Sequence, residues 1–181
     1  NGSLWLVTGF VILRSEIYGS RVSLQVEKEG EMRMEPKKEN QDNVYEKLLQ
    51  NHDLYWSQSP KTWDDAAFLG NGMLGVTIYN AEHKSNRQTY RFVMGRMDVV
   101  AHRKDAYAAR VPVGEFELDF GSWIYGGTTA RLRLWDAQFD SDVITVNGSA
   151  TVSAYLHSLQ DVMVIEVQTD EKETARMQWY P

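Results

Sequence analysis

From Leu69 onward, apolar residues return at every second position. That period fits a half-buried strand and excludes a helix, whose buried face repeats every 3.6 residues. In GEFELDF, Phe116, Leu118 and Phe120 alternate with Glu115, Glu117 and Asp119, which predicts one apolar and one wet face. RLRLWD repeats the pattern, with Leu132 and Leu134 set against Arg131 and Arg133. In VITVNGSATVSAYLHS two β-rich runs flank Asn147-Gly148, a dipeptide suited to a tight hairpin turn. VMVIEVQT is apolar on both faces, as expected of a central strand covered on both sides. With GMLGVTIYN and RQTYRFV added, at least six strands follow Leu69 and little helix intervenes. The expected fold is all-β, an antiparallel β-sandwich.

Before Leu69 the pattern differs. Leu4–Leu13 (LWLVTGFVIL) is too short to span a bilayer but has the length of a signal-peptide core, with a buried first strand as the alternative. Glu27–Asn43 is dense in charge and reads as a solvated linker. Asn43–His52 carries Val44, Leu48 and Leu49 at helical spacing behind an Asx cap, predicting one short helix. Residues 1–43 are therefore expected to be a leader remnant and linker, and residues 44–181 the sandwich, cut from a longer chain.

The net charge of -6 repels phosphate backbones, so nucleic acid is not an expected partner. The chain has no cysteine, which excludes disulfides, thiolate metal sites and a cysteine nucleophile. His52, His83, His102 and His157 are scattered without ligand spacing, and no metal or other cofactor is expected. Asp64 and Asp65 are adjacent and so cannot face each other across a glycosidic bond. Ser57, Ser59 and Ser85 lack a nucleophile elbow. The sequon Asn147-Gly148-Ser149 is already explained by the hairpin.

Two segments stand out. FLGNGMLG (Phe68–Gly75) sets three glycines and an asparagine ahead of a strand, whereas phosphate loops follow a strand and open a helix. A turn that lets backbone pass close to another surface is the expected use. GRMDVVAHR holds Arg96, Asp98, His102 and Arg103, the densest polar group between apolar runs, read as a salt-bridged loop or a surface facing a ligand or another domain.

The order Trp56, AAFLGNGMLGVTIYN, VMGRMDVV, VPVGEFELDF and the run from Leu132 to Val167 resembles the N-terminal β-sandwich of glycoside hydrolase family 95, the α-L-fucosidase-like enzymes. The resemblance covers roughly residues 53–169. It implies the super-β-sandwich type that precedes an (α/α)6 barrel, in a secreted or periplasmic, bacterial, glycan-degrading protein. In the family the catalytic carboxylate and its paired asparagines lie in that barrel, so no catalytic residue is expected in this chain. The implied partners are a downstream barrel of the same polypeptide and an oligosaccharide or polysaccharide, with no membrane span. Gly95–Val100 departs from the family's Asn-Glu-Asp-Thr-Leu-Trp, which implies a divergent branch and leaves the sugar open. Trp56, Gly70, Asn71, Gly72, Arg96, Asp98, His102 and Arg103 become candidates for the domain interface or the rim of the substrate pocket. Two other readings remain: a carbohydrate-binding module that stacks sugars on Trp56, Trp63, Trp123 or Tyr125, and an adhesion sandwich with no sugar contact.

Overall fold

The computed structural model describes residues 10–16, 39–82, 88–103 and 106–181. In chain order the elements are β1 (Phe10–Glu16), α1 (Glu39–Gln50), β2 (Leu54–Trp56), a 3₁₀ turn (Trp63–Asp65), β3 (Ala67–Gly70), β4 (Leu74–Glu82), β5 (Gln88–Arg103), β6 (Ala106–Phe120), β7 (Thr129–Arg133), β8 (Gln138–Ile144), β9 (Ser149–Leu156), β10 (Val162–Thr169) and β11 (Ala175–Tyr180). They form two sheets, ordered β1-β10-β9-β8-β7-β2 and β11-β6-β5-β4-β3. Every pairing is antiparallel except β1 with β10, which is parallel. The fold is an all-β sandwich with one short helix before its main body.

The alternation builds the core directly. Val76, Ile78, Tyr90, Phe92, Leu118 and Phe120 of the five-stranded sheet face Phe139, Val143, Val152, Ala154, Met163 and Ile165 of the six-stranded one. Burying each of the larger side chains contributes about 1.5–3 kcal/mol. The Tyr90 and Phe139 rings meet across the sheets with centroids 6.2 Å apart. The Tyr90 hydroxyl sits between Ser59 Oγ (2.7 Å) and Ser141 Oγ (2.6 Å), so this buried polar group is satisfied. Burial pushes its pKa up.

Several expectations meet corrections. Helix α1 starts at Glu39, so Asn43 lies inside the helix and not at its N-cap position; Val44, Leu48 and Leu49 stay exposed. RLRLWD is strand only to Arg133, and Leu134–Ala137 is the turn into β8, with Ala137 at φ 50°. The Asn147-Gly148 hairpin is present, but its connection is the four residues Thr145–Gly148, and Gly148 is not in the left-handed region. Glycine is required there by proximity, because a Cβ would come within 2.3 Å of the Asp170 carboxylate. As expected of a central strand, VMVIEVQT lies between β1 and β9 and is buried over four consecutive residues, Val162–Ile165. The last four residues of the apolar run Leu4–Leu13 fall in β1, while Leu4–Gly9 and Glu27–Lys38 lie outside the described residues.

The expected wet face of β6 is the clearest departure. Glu117 is only 3% exposed. Strand β11 closes the sheet edge beside β6, and the Tyr180 hydroxyl donates to Glu117. Arg91 of β5 pairs with Glu115 and lies 5.2 Å over the Tyr79 ring. Long side chains of neighbouring strands thus lie flat over this part of the outer face and cover it.

Candidate functional site

The outer face of the same sheet is bare at its other end. Cross-strand register places Gly70 opposite Gly75 and Gly75 opposite Gly95, so three glycines stand side by side on β3, β4 and β5. Neighbouring strands are about 4.8 Å apart, so the row makes a trough about 10 Å wide, whose floor is covered by the Phe68 ring at Gly70 and Gly75 and is open at Gly95. The cavity measures about 540 Å³. Its walls are Phe68, Met73, Val93, Met97, Val111 and Pro112. Phe68 is 62% exposed, Met97 52% and Met73 40%.

The glycine motif now has a physical account. Gly72 takes φ 94°, which side chains avoid, and so allows the turn between β3 and β4. Gly70 and Gly75 make room for the Phe68 ring: a Cβ on either would lie 3.1–3.2 Å from it. Over Gly95 nothing lies within 4 Å of a would-be Cβ, so the trough is open there.

Asn71 locks the turn. Its Oδ1 accepts from the Met73 N–H (3.0 Å) and the Leu74 N–H (2.8 Å). Its Nδ2 donates to the carbonyls of His157 (2.9 Å) and Gln160 (3.1 Å), in the loop joining β9 to β10 on the opposite sheet. Both polar atoms are therefore occupied within the sandwich, and the side chain offered by sequence to a partner acts as an internal clamp. Arg96, at the trough rim, reaches the same loop: it pairs with Asp161 (2.9 Å) and with Asp98 (2.8 Å). The hydrogen bond from Arg96 holds the Asp98 carboxyl below the usual range. The structure thus brings Gly70, Asn71, Gly72, Arg96 and Asp98 into one region around the β9–β10 loop.

Three candidates lie elsewhere. Trp56 is on β2, at the edge of the other sheet, half-buried, with its indole N–H donating to the Asp65 carbonyl (3.0 Å). His102 and Arg103 lie near the tip of the β5–β6 hairpin, where Arg103 pairs with Ala106. GRMDVVAHR is strand rather than the expected loop, interrupted by register shifts against β6 after Met94, Gly95 and Ala101. Asp98 and His102 share β5, where residues four apart are about 13 Å apart along a regular strand. No group of three or more potential metal ligands occurs among the described residues. His83 and Ser85 lie outside them.

Sequence reading missed Phe68, Met73, Gly95, Met97 and Asp161. An exposed Phe reads as core in an alternating pattern, and the alignment of Gly95 with Gly75 depends on register between two strands. The available signal was parity: Gly75 and Thr77 share a face of β4, as do Val93 and Gly95 of β5.

Chemically, the trough offers apolar walls, open backbone at Gly95 and one ion-paired rim, and no carboxylate pair stands over it among the described residues. An exposed apolar surface of this kind is the type found at sites where a partner packs. No helix among the described residues is long and apolar enough to cross a membrane. Comparison with known protein families, with curated proteins and with solved structures finds no match.

Proposed function

We propose that this chain is the N-terminal β-sandwich of a glycan-degrading glycoside hydrolase, related to the family 95 enzymes, and that the glycine trough is the seat for the catalytic (α/α)6 barrel that follows it. The observation that carries this is the trough itself, a glycine floor on three adjacent strands walled by exposed Phe68, Met73 and Met97. A helix or loop of a partner domain can approach the sheet backbone there and bury those three side chains, at about 25 cal/mol per Å² of apolar surface removed from water.

In this proposal the chain alone is inactive. Hydrolysis with inversion needs an acid and a base separated widely enough to admit water, and both belong to the barrel. Asn71 and Arg96 hold the trough in shape through the β9–β10 loop, and Gly70 and Gly72 give the turn its backbone path. The protein would act outside the cytoplasm on an oligosaccharide or polysaccharide.

Reading the coding sequence past Pro181 tests this. A frame that continues for several hundred residues with helical periodicity and a carboxylate flanked by paired asparagines is the expected result. A stop codon within a few tens of residues would overturn it and favour a free-standing carbohydrate-binding module.

A further inference from the structure

A second concavity lies at the opposite end of the sandwich. The segment Gln58–Lys61 crosses there between the sheets: the Ser59 N–H donates to the Thr128 carbonyl (2.8 Å), and the Asn80 N–H donates to the Pro60 carbonyl (2.6 Å). Beside it is a cavity of about 150 Å³, lined by Gln58, Lys61, Asn80, Gln88 and Tyr125 among others. Asn80 is 4% exposed, and its Oδ1 has no hydrogen-bond partner among the described residues. A buried acceptor left unmet is costly, so the site demands a donor. Asn80 shares inward parity with Ile78 on β4. It is also five residues from Gly75, about 17 Å along the strand, which separates this pocket from the trough.

We infer that this pocket binds a single sugar ring or a similarly small, uncharged polyol. The unmet Asn80 oxygen accepts only, which favours a hydroxyl donor and disfavours an anionic group. The Gln58 and Gln88 amides donate and accept, and Lys61 donates, a mixture that hydroxyls satisfy because each can play either part. Tyr125, 56% exposed, lines the pocket and supplies an aromatic side chain for the apolar side of the ligand. The volume equals about five waters and falls below the ~300 Å³ of pockets for larger ligands, which limits the occupant to one ring. None of this depends on a barrel packing over the trough.

The test is nuclear magnetic resonance titration of the 181-residue chain with D-glucose, D-galactose and D-xylose, and with their methyl glycosides, at millimolar concentrations. The expected result is saturable shifts confined to the amides of Gln58, Asn80, Gln88 and Tyr125, with one sugar clearly preferred. Tyr125→Ala should weaken binding roughly threefold to tenfold. Asn80→Leu should abolish it; if that variant does not fold, Gln58→Ala combined with Tyr125→Ala, both on the surface, should abolish it instead. Methyl glycosides that bind as well as free sugars assign the ligand as the terminal ring of a chain, and a preference for free sugars assigns it as a monosaccharide. No saturable shift at these residues with any of the six probes means that the pocket holds water alone, and overturns the inference.

Discussion

One sheet face carries two opposite surfaces. Toward β11 the outer face of the five-stranded sheet is closed by Tyr79, Arg91, Glu115, Glu117 and Tyr180, with Arg91 paired to Glu115 and stacked over Tyr79, and Tyr180 bonded to Glu117. Toward β3 the same strands carry glycine, and Phe68, Met73 and Met97 are left in solvent. Both halves sit on the same backbone ladder, so strand formation does not explain the difference. The closed half is finished within the domain. The open half has the composition of a surface awaiting cover.

The largest expected effect contrasts two glycines. Gly114, at φ 148° opposite Met94 on the core-facing side of the closed half, would place a Cβ 2.3 Å from the Trp179 ring and 2.7 Å from the Tyr180 carbonyl. Overpacking and backbone strain each cost about 1–3 kcal/mol, so Gly114→Ala should lower stability by roughly 2–5 kcal/mol in urea denaturation. Gly95→Ala, in the open half, should stay within about 0.5 kcal/mol of the parent. Equal losses at the two positions would erase the contrast.

Asn71→Ala should come next. It removes two acceptor and two donor contacts, for a loss of roughly 1–3 kcal/mol, and hydrogen exchange should speed up at the Met73 and Leu74 amides. Unchanged exchange there would show that the clamp is not needed. Arg91→Ala should cost a similar or smaller amount by removing the ion pair with Glu115 and the guanidinium packed over the Tyr79 ring.

Acid should loosen the sandwich through carboxylates outside the trough. Burial alone would raise Glu173, but hydrogen bonds from Ser122, Thr145 and the Thr174 N–H outweigh it and hold the carboxyl below its ordinary 4.5. Asp53 behaves alike: desolvation is outweighed by the Leu134 N–H and Arg131, which hold it below 3.8. Depressed carboxylates contribute stability that is complete above their unfolded values and fades as pH falls through the folded ones. Denaturation midpoints should therefore be level near neutrality and decline below about pH 4.5. In Glu173→Gln the decline should be shallower, and an unchanged slope would remove Glu173 from the account.

The architecture was legible because alternation is local. GEFELDF and the run around Asn147-Gly148 announced strands and a hairpin without any knowledge of their neighbours. What escaped was set between segments. Glu117 looked wet because its cover comes from Tyr180, sixty-three positions later in the numbering. The trough was invisible because FLGNGMLG and VMGRM show their glycines in separate stretches, and only the β4–β5 register puts them side by side. Asn71 was singled out correctly as unusual, but its partners, the His157 and Gln160 carbonyls, are backbone groups that no residue pattern advertises.

The central claim is that the open half is covered in the complete polypeptide. Because the chain has no cysteine, Gly95→Cys places a single thiol on the trough floor. Its rate of maleimide labelling should be compared between the 181-residue chain and the polypeptide read through to its stop codon, with the peptide containing residue 95 identified by mass spectrometry. Rapid labelling in the first and slowing by at least about tenfold in the second is the predicted result, the factor that corresponds to burial worth about 1.4 kcal/mol. Equal rates in the two would contradict the claim that a barrel sits on this surface.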